Sequence, residues 1–371
     1  MKKSLILAAA VSVALTSCMN ETENLGQQEQ SENLISFASP FVGLNSRGGE
    51  GLGYMPGEIA GQTYSTKEKF NIFSFYSADK KSYTDYIINE TVSYFESINA
   101  WAPSTNYAWP LNGSLTFLAY SPAGAFPEKS KVQASNRGLF ISDFTVPKEV
   151  SKQFDLMYTE PSTYDCKSSS KEPVQLKFKH ALSSVDVKLN IIGENYANGN
   201  VTNVTLDGIS FNNIKDNADF VTNVDRNSVS QDWTNYASST EDYSYNLNND
   251  MTVVSDAVNM KVGTTITFKN KMLLLPQTAD ASRNFNPAKD PCIAINLLYK
   301  ATNGKNIKQT AYVDLTNVNS KNGFMKSKMQ WEKGIRYIYN VTLHLDNIVA
   351  TATVEEWKMD SNSETNKDFS E

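Results

Sequence analysis

Apolar and polar residues alternate in short runs along most of this chain, and clusters of Asn, Ser, Gly and Pro separate the runs. An alternation of period two puts successive side chains on opposite faces of a strand, so the pattern predicts many short β-strands rather than helices. The first is Leu34-Ile35-Ser36-Phe37-Ala38, followed by a loop that holds Asn45-Ser46-Arg47-Gly48-Gly49. In Phe70-Asn71-Ile72-Phe73-Ser74-Phe75-Tyr76 both faces carry aromatic rings, which predicts a strand buried between two layers. Leu115 to Ser121, ended by Pro122, reads the same way. Further strands are predicted at 141–146 and 154–158, at both ends of 174–189 with His180-Ala181-Leu182 as a short turn between them, and at 201–211, 264–268, 271–275, 293–299 and 309–315. The pattern closes with 337–345 and 350–357.

Residues 160–173 are polar and lack apolar periodicity, which marks them as a linker. The run from Asn212 to Asp250 is also polar. It reads as an exposed excursion despite Tyr236, Tyr243 and Tyr245. These breaks predict an all-β chain with an N-terminal β-sandwich domain over 33–172, a C-terminal one over 173–358, and a polar tail at 359–371.

Composition agrees with that reading and narrows the function. The chain has 18 Tyr, 18 Phe and 5 Trp, and a formal net charge of −6. An acidic chain lacks the basic surface that displaces counterions from nucleic acid, so nucleic acid is excluded as a partner. The only histidines, His180 and His344, lie in strand-like runs, and no Gly-x-Ser-x-Gly elbow, phosphate-cradling loop or Cys/His cluster accompanies them. No enzyme activity, cofactor or metal site is therefore expected. Cys166 and Cys292 are read as unpaired, because one lies in a polar loop and the other opens an apolar strand. Trp101, Tyr107 and Trp109 fall together in a predicted loop region. They form the one candidate platform on which a sugar ring could stack.

The start of the chain carries an address. Lys2 and Lys3 precede an apolar run from Ser4 to Leu15, which is the form of a secretory signal and is too short for a permanent membrane helix. Leu15-Thr16-Ser17-Cys18 resembles a bacterial lipobox. That resemblance implies removal of 1–17, acylation of Cys18 and attachment to a membrane outside the cytoplasm. Residues 18–32 hold Glu21, Glu23, Glu29 and Glu32 and no basic residue, and read as a tether. They are either a solvated spacer or a match to the acidic surface-export signal of Bacteroidetes lipoproteins.

Several separated motifs resemble one family, the fimbrillins of Bacteroidetes. They are the lipobox at Cys18, the first strand with Arg47 beyond it, Trp109-Pro110, Phe154-Asp155-Leu156-Met157-Tyr158, and Phe178-Lys179-His180-Ala181-Leu182-Ser183. Leu273-Leu274-Leu275-Pro276-Gln277, Trp331 to Tyr337 and the closing Thr353-Val354-Glu355-Glu356-Trp357 complete the series. The resemblance implies two transthyretin-like antiparallel β-sandwiches and a structural role in surface fimbriae, with other fimbrial subunits as partners. It further implies cleavage at Arg47-Gly48, displacement of the strand holding Leu34, Ile35 and Phe37, and refilling of its groove by another subunit's strand. Arg47 is otherwise an ordinary loop arginine. Val349 to Trp357, with Ala350, Ala352 and Val354 on one face, is either a strand donated to a neighbour or one kept in its own sheet. The competing reading is a surface lipoprotein that binds glycans or host ligands through its loops.

Overall fold

The computed structural model describes residues 33–42, 69–169, 172–193, 200–222, 232–247, 259–300, 305–320 and 328–358. Strands dominate it. An eight-stranded sheet runs in the order Phe41–Val42, Lys177–His180, Met157–Thr159, Ser114–Ser121, Phe70–Ser77, Thr84–Phe95, Ala100–Pro103, with Ser162–Asp165 also pairing to Ser114–Ser121. Both faces of its centre are buried, as the aromatic pattern predicts. Phe70 and Ile72 point into a smaller apolar core, and Phe73 and Phe75 into a larger one on the opposite side.

The larger core is walled by three further sheets. Ser183–Ile192, Ile335–His344 and Val349–Lys358 form the middle of a six-stranded sheet. Asn200–Lys215, Cys292–Lys300 and Asn306–Asp314 form most of a five-stranded one. Most pairing is antiparallel, but Ser183–Ile192 and Ile335–His344 run parallel from Ser184↔Arg336 to Ile192↔His344. The third is a four-stranded sheet that takes Val132–Ser135 and Gly138–Thr145 from the first half of the chain and Asn217–Val221 and Trp233–Thr234 from the second. Strand pairing therefore crosses position 172 here, at Lys177–His180 and at the bridge between Phe37 and Val174.

Two polar stretches differ from their sequence reading. Within 160–173, Ser162–Asp165 is an edge strand whose Thr163 hydroxyl meets that of Thr116 at 2.9 Å, and Cys166 beside it is 1% exposed. A strand that buries only alternate residues against a neighbour tolerates polar ones between them, so its apolar count is low. Within 212–250, Ala218, Phe220, Trp233, Tyr243 and Tyr245 are all buried in the larger core. The spacings Ala218-x-Phe220 and Tyr243-x-Tyr245 carry that alternation, which the surrounding Asn, Ser and Asp outweigh in composition. Cys166 and Cys292 are both buried free thiols, and burial pushes the Cys292 thiol up to about 12.

Candidate functional site

The backbone of residues 33–42 spans two separate parts of the fold. On one side Ile35 N–H donates to the Tyr107 carbonyl at 2.8 Å, Phe37 N–H to the Trp101 carbonyl at 2.8 Å, and Trp109 N–H to the Asn33 carbonyl at 2.8 Å. On the other, Ala38 N–H donates to the Val174 carbonyl at 3.0 Å and Val174 N–H to the Ser36 carbonyl at 2.8 Å. Pro40 has no N–H to offer, and Phe41–Val42 then pairs in parallel with Lys177 and Phe178. The segment thus fills a slot between the edge strand Ala100–Pro103 with its following loop and the run 172–178.

Its alternation decides what enters the slot. Ile35 and Phe37 are 2% and 1% exposed, whereas Leu34 on the opposite face is 36% exposed. The Phe37 ring meets Phe70 and Phe117 edge-on, with centroids 5.9 and 5.8 Å apart. Phe70 packs in turn on Trp101 and Phe178. Trp109 and Tyr164 close on Phe117 from the far side. Burying an Ile and a Phe side chain contributes about 1.5–3 kcal/mol each, and each backbone bond about 1 kcal/mol net. The slot is lined by aromatic rings and main-chain groups. The Tyr86 hydroxyl, raised mainly by burial, donates to the Ala108 carbonyl and steadies the loop that carries Tyr107 and Trp109.

This geometry corrects the sugar-platform expectation. Trp101 is 3% and Trp109 5% exposed, and their ring faces pack within the smaller core, so neither presents a flat surface to solvent. Both, with Tyr107, instead hold the first segment through their backbones. Val174, Phe178, Phe70 and Phe117 complete the slot. Their strands were legible in the sequence, but nothing in it tied them to Phe37. His180, at the end of the strand Lys177–His180, pairs its Nδ1 with Asp155 Oδ2 at 2.6 Å, and both side chains are buried.

The last strand is paired along its whole length on one side and at two residues on the other. Val349–Lys358 is antiparallel to Ile335–His344 over its whole length, from Val349↔His344 to Lys358↔Ile335. Asn319–Ser320 pairs with Thr353 and Val354 from the other side. Ala350, Ala352 and Val354 share the core-facing side, as the alternation predicts. Cys18, Arg47 and Gly48 lie outside the described residues.

A family of proteins described as fimbrillin-like matches residues 59–357. The chain belongs to the fimbrillin-like family. It is accordingly a structural protein of the fimbrial or adhesion type. Among solved structures, a fimbrial protein from Bacteroides vulgatus is similar at 17% identity and a TM-score of 0.49, covering 78% of this chain and 92% of that one. The tip fimbrial protein Mfa3 from Porphyromonas gingivalis, with C-terminal truncation, is similar at 12% identity and a TM-score of 0.38, covering 78% and 94%. No curated protein matches the fimbrillin-like chain in sequence.

Proposed function

We propose that this fimbrillin-like chain is a subunit of surface fimbriae that is delivered to the outer membrane on a lipidated Cys18 and accepts a strand from another subunit. In this reading a protease cuts at Arg47-Gly48, and the segment 33–42 leaves. The observation that carries it is the way Ile35 and Phe37 plug a ring-lined slot between two parts of the fold that do not otherwise pair there. Emptying the slot exposes an apolar trough and leaves backbone donors and acceptors unmet on both walls, which is costly until another strand binds. Strand addition restores both terms at once. The two predicted sandwich units at 33–172 and 173–358, the tether and the signal belong to the same proposal.

The test is cleavage with an arginine-specific protease, followed by electrophoresis in sodium dodecyl sulfate. With its partner subunits present, the cut chain should enter detergent-resistant oligomers, and Arg47→Ala should abolish them. Mass spectrometry of the N-terminus recovered from cells should find acylated Cys18 before cutting and Gly48 after it. Monomer alone after confirmed cleavage in the presence of all partners would exclude strand acceptance.

A further inference from the structure

The slot and the last strand do not fit each other, although both belong to this chain. Resting on the strand-acceptance reading above, we infer that the slot selects an extended segment of a different polypeptide. That segment carries a large aliphatic residue and, two positions on, an aromatic ring. It is not supplied by the last strand of a second copy of this chain.

The resident segment defines the demand. Ile35 fills one inward position with a branched butyl group, and Phe37 fills the next with a benzyl group that touches Phe70 and Phe117. The last strand offers Ala350, Ala352 and Val354 on its core-facing side, so methyl groups would stand where the slot holds those two larger groups. The alternate positions Val349, Thr351, Thr353, Glu355 and Trp357 nowhere put a large aliphatic residue two places before an aromatic ring. Packed interiors do not collapse freely around such losses, and the unfilled volume is carried as a cavity. Main-chain bonding cannot compensate, because every strand brings the same backbone. It gives affinity without discrimination, and the side-chain pockets supply the choice.

A second observation points the same way. Val349–Lys358 is the partner of Ile335–His344 along ten residues, and Ile335–His344 in turn lies beside Ser183–Ile192 in the six-stranded sheet. Donating this strand would open the larger core of the donor at Val354. The slot's own occupant, by contrast, belongs only to the smaller core.

The experiment uses the full chain with a site-specific protease sequence inserted between Arg47 and Gly48. After cutting, the N-terminal fragment stays seated, and its release into excess peptide is followed by gel filtration and mass spectrometry. Three peptides are compared: residues 33–42, residues 346–371, and residues 346–371 with Ala350→Ile and Ala352→Phe. The long C-terminal peptide includes Trp357 and Met359, so that any register it can offer is sampled. The first and third should displace the fragment, and the second should need at least 100-fold higher concentration. Equal displacement by the unaltered C-terminal peptide would overturn the selectivity while leaving strand acceptance intact, and failure of the third would overturn its basis in side-chain volume. Failure of the 33–42 peptide to exchange at all would overturn strand acceptance itself.

Discussion

Three charged side chains meet where the six-stranded sheet is widest. Arg336 donates from Nη2 to Asp186 Oδ2 at 2.6 Å, and Lys271 lies beside both, one residue before the strand Met272–Leu274 that pairs with Ser183–Ile192. Burial, then the Arg336 charge, lowers the Lys271 ammonium from 10.5 to about 8, against the pull of Asp186. Burial also raises the Asp186 carboxyl, and the Arg336 pair only partly offsets it. A lysine whose folded value lies below its unfolded one binds fewer protons when folded between pH 8 and 10.5. Its charge therefore costs stability below about pH 8, and the cost fades as pH rises through that window. Lys271→Met should raise the urea midpoint at pH 7, by a free energy on the order of 2–3 kcal/mol. The gain should shrink toward zero by pH 10. Tyrosine ionisation acts alike on both proteins and cancels in the difference. A gain that is independent of pH would show that Lys271 acts through packing rather than charge.

At the scale of elements, the join between Gly138–Thr145 and Asn217–Val221 depends on close backbone approach. Leu139 N–H donates to the Thr222 hydroxyl at 2.8 Å, and Thr222 N–H returns to the Leu139 carbonyl at 2.9 Å. A Cβ built on Gly138 would stand 1.6 Å from the Thr222 carbonyl oxygen, a contact that only movement of the strand can relieve. Gly138→Val should therefore cost about 3 kcal/mol or more, as overpacking of a fixed backbone does. Thermal unfolding of the variant against Gly124→Val, where a Cβ meets nothing within 4 Å but φ is +80°, separates collision from backbone strain. If Gly124→Val loses as much, the contact at Thr222 is not what Gly138 protects. This join also shows what the sequence could and could not convey. The strand Phe70–Ser77 was legible because aromatic rings on both faces demand two cores. The alternation of Ile35 and Phe37 announced a buried face, but the strand predicted at 34–38 makes only isolated bridges, and the regular strand is the short Phe41–Val42. The partnership of Gly138–Thr145 with Asn217–Val221 was not legible, because it rests on residues far apart in the chain and on a short alternation set among polar side chains. The slot itself is of the same kind. Trp101, Tyr107 and Trp109 were noticed for their rings, whereas it is their backbone carbonyls and amide that hold the first segment.

Across the described residues, the larger core ties distant parts of the chain together and the smaller one holds the first segment. The larger core runs from Phe73 to Val354 and joins residues of five sheets, the fifth being the two-stranded pair Thr278–Asp280 and Lys328–Gln330. The smaller one collects Ile35, Phe37, Trp101, Trp109, Val174 and their neighbours on the outer face of the eight-stranded sheet. Contacts from distant parts of the chain tie the larger core together. Trp233 Nε1–H donates to the Ala181 carbonyl at 2.7 Å, Gln153 Oε1 accepts from Leu273 N–H at 2.8 Å, and Lys333 reaches both the Tyr158 hydroxyl and Asp232. A segment that inserts only into the smaller core can loosen without unlocking those contacts, and opening of this kind is a sub-global event with its own free energy. Phe37→Ala should make that visible. Truncating a buried phenylalanine costs about 3–5 kcal/mol, and hydrogen exchange should place most of it at residues 33–42, 101–109 and 172–178. Amides of Ser183–Ile192 and Ile335–His344 should keep their original protection. A uniform fall across both groups would mean that the slot cannot open without global unfolding, and a strand could then enter only during folding. Protection lost around the slot alone would mean that residues 33–42 can leave their place while the larger core stays folded, which is the opening that strand acceptance requires.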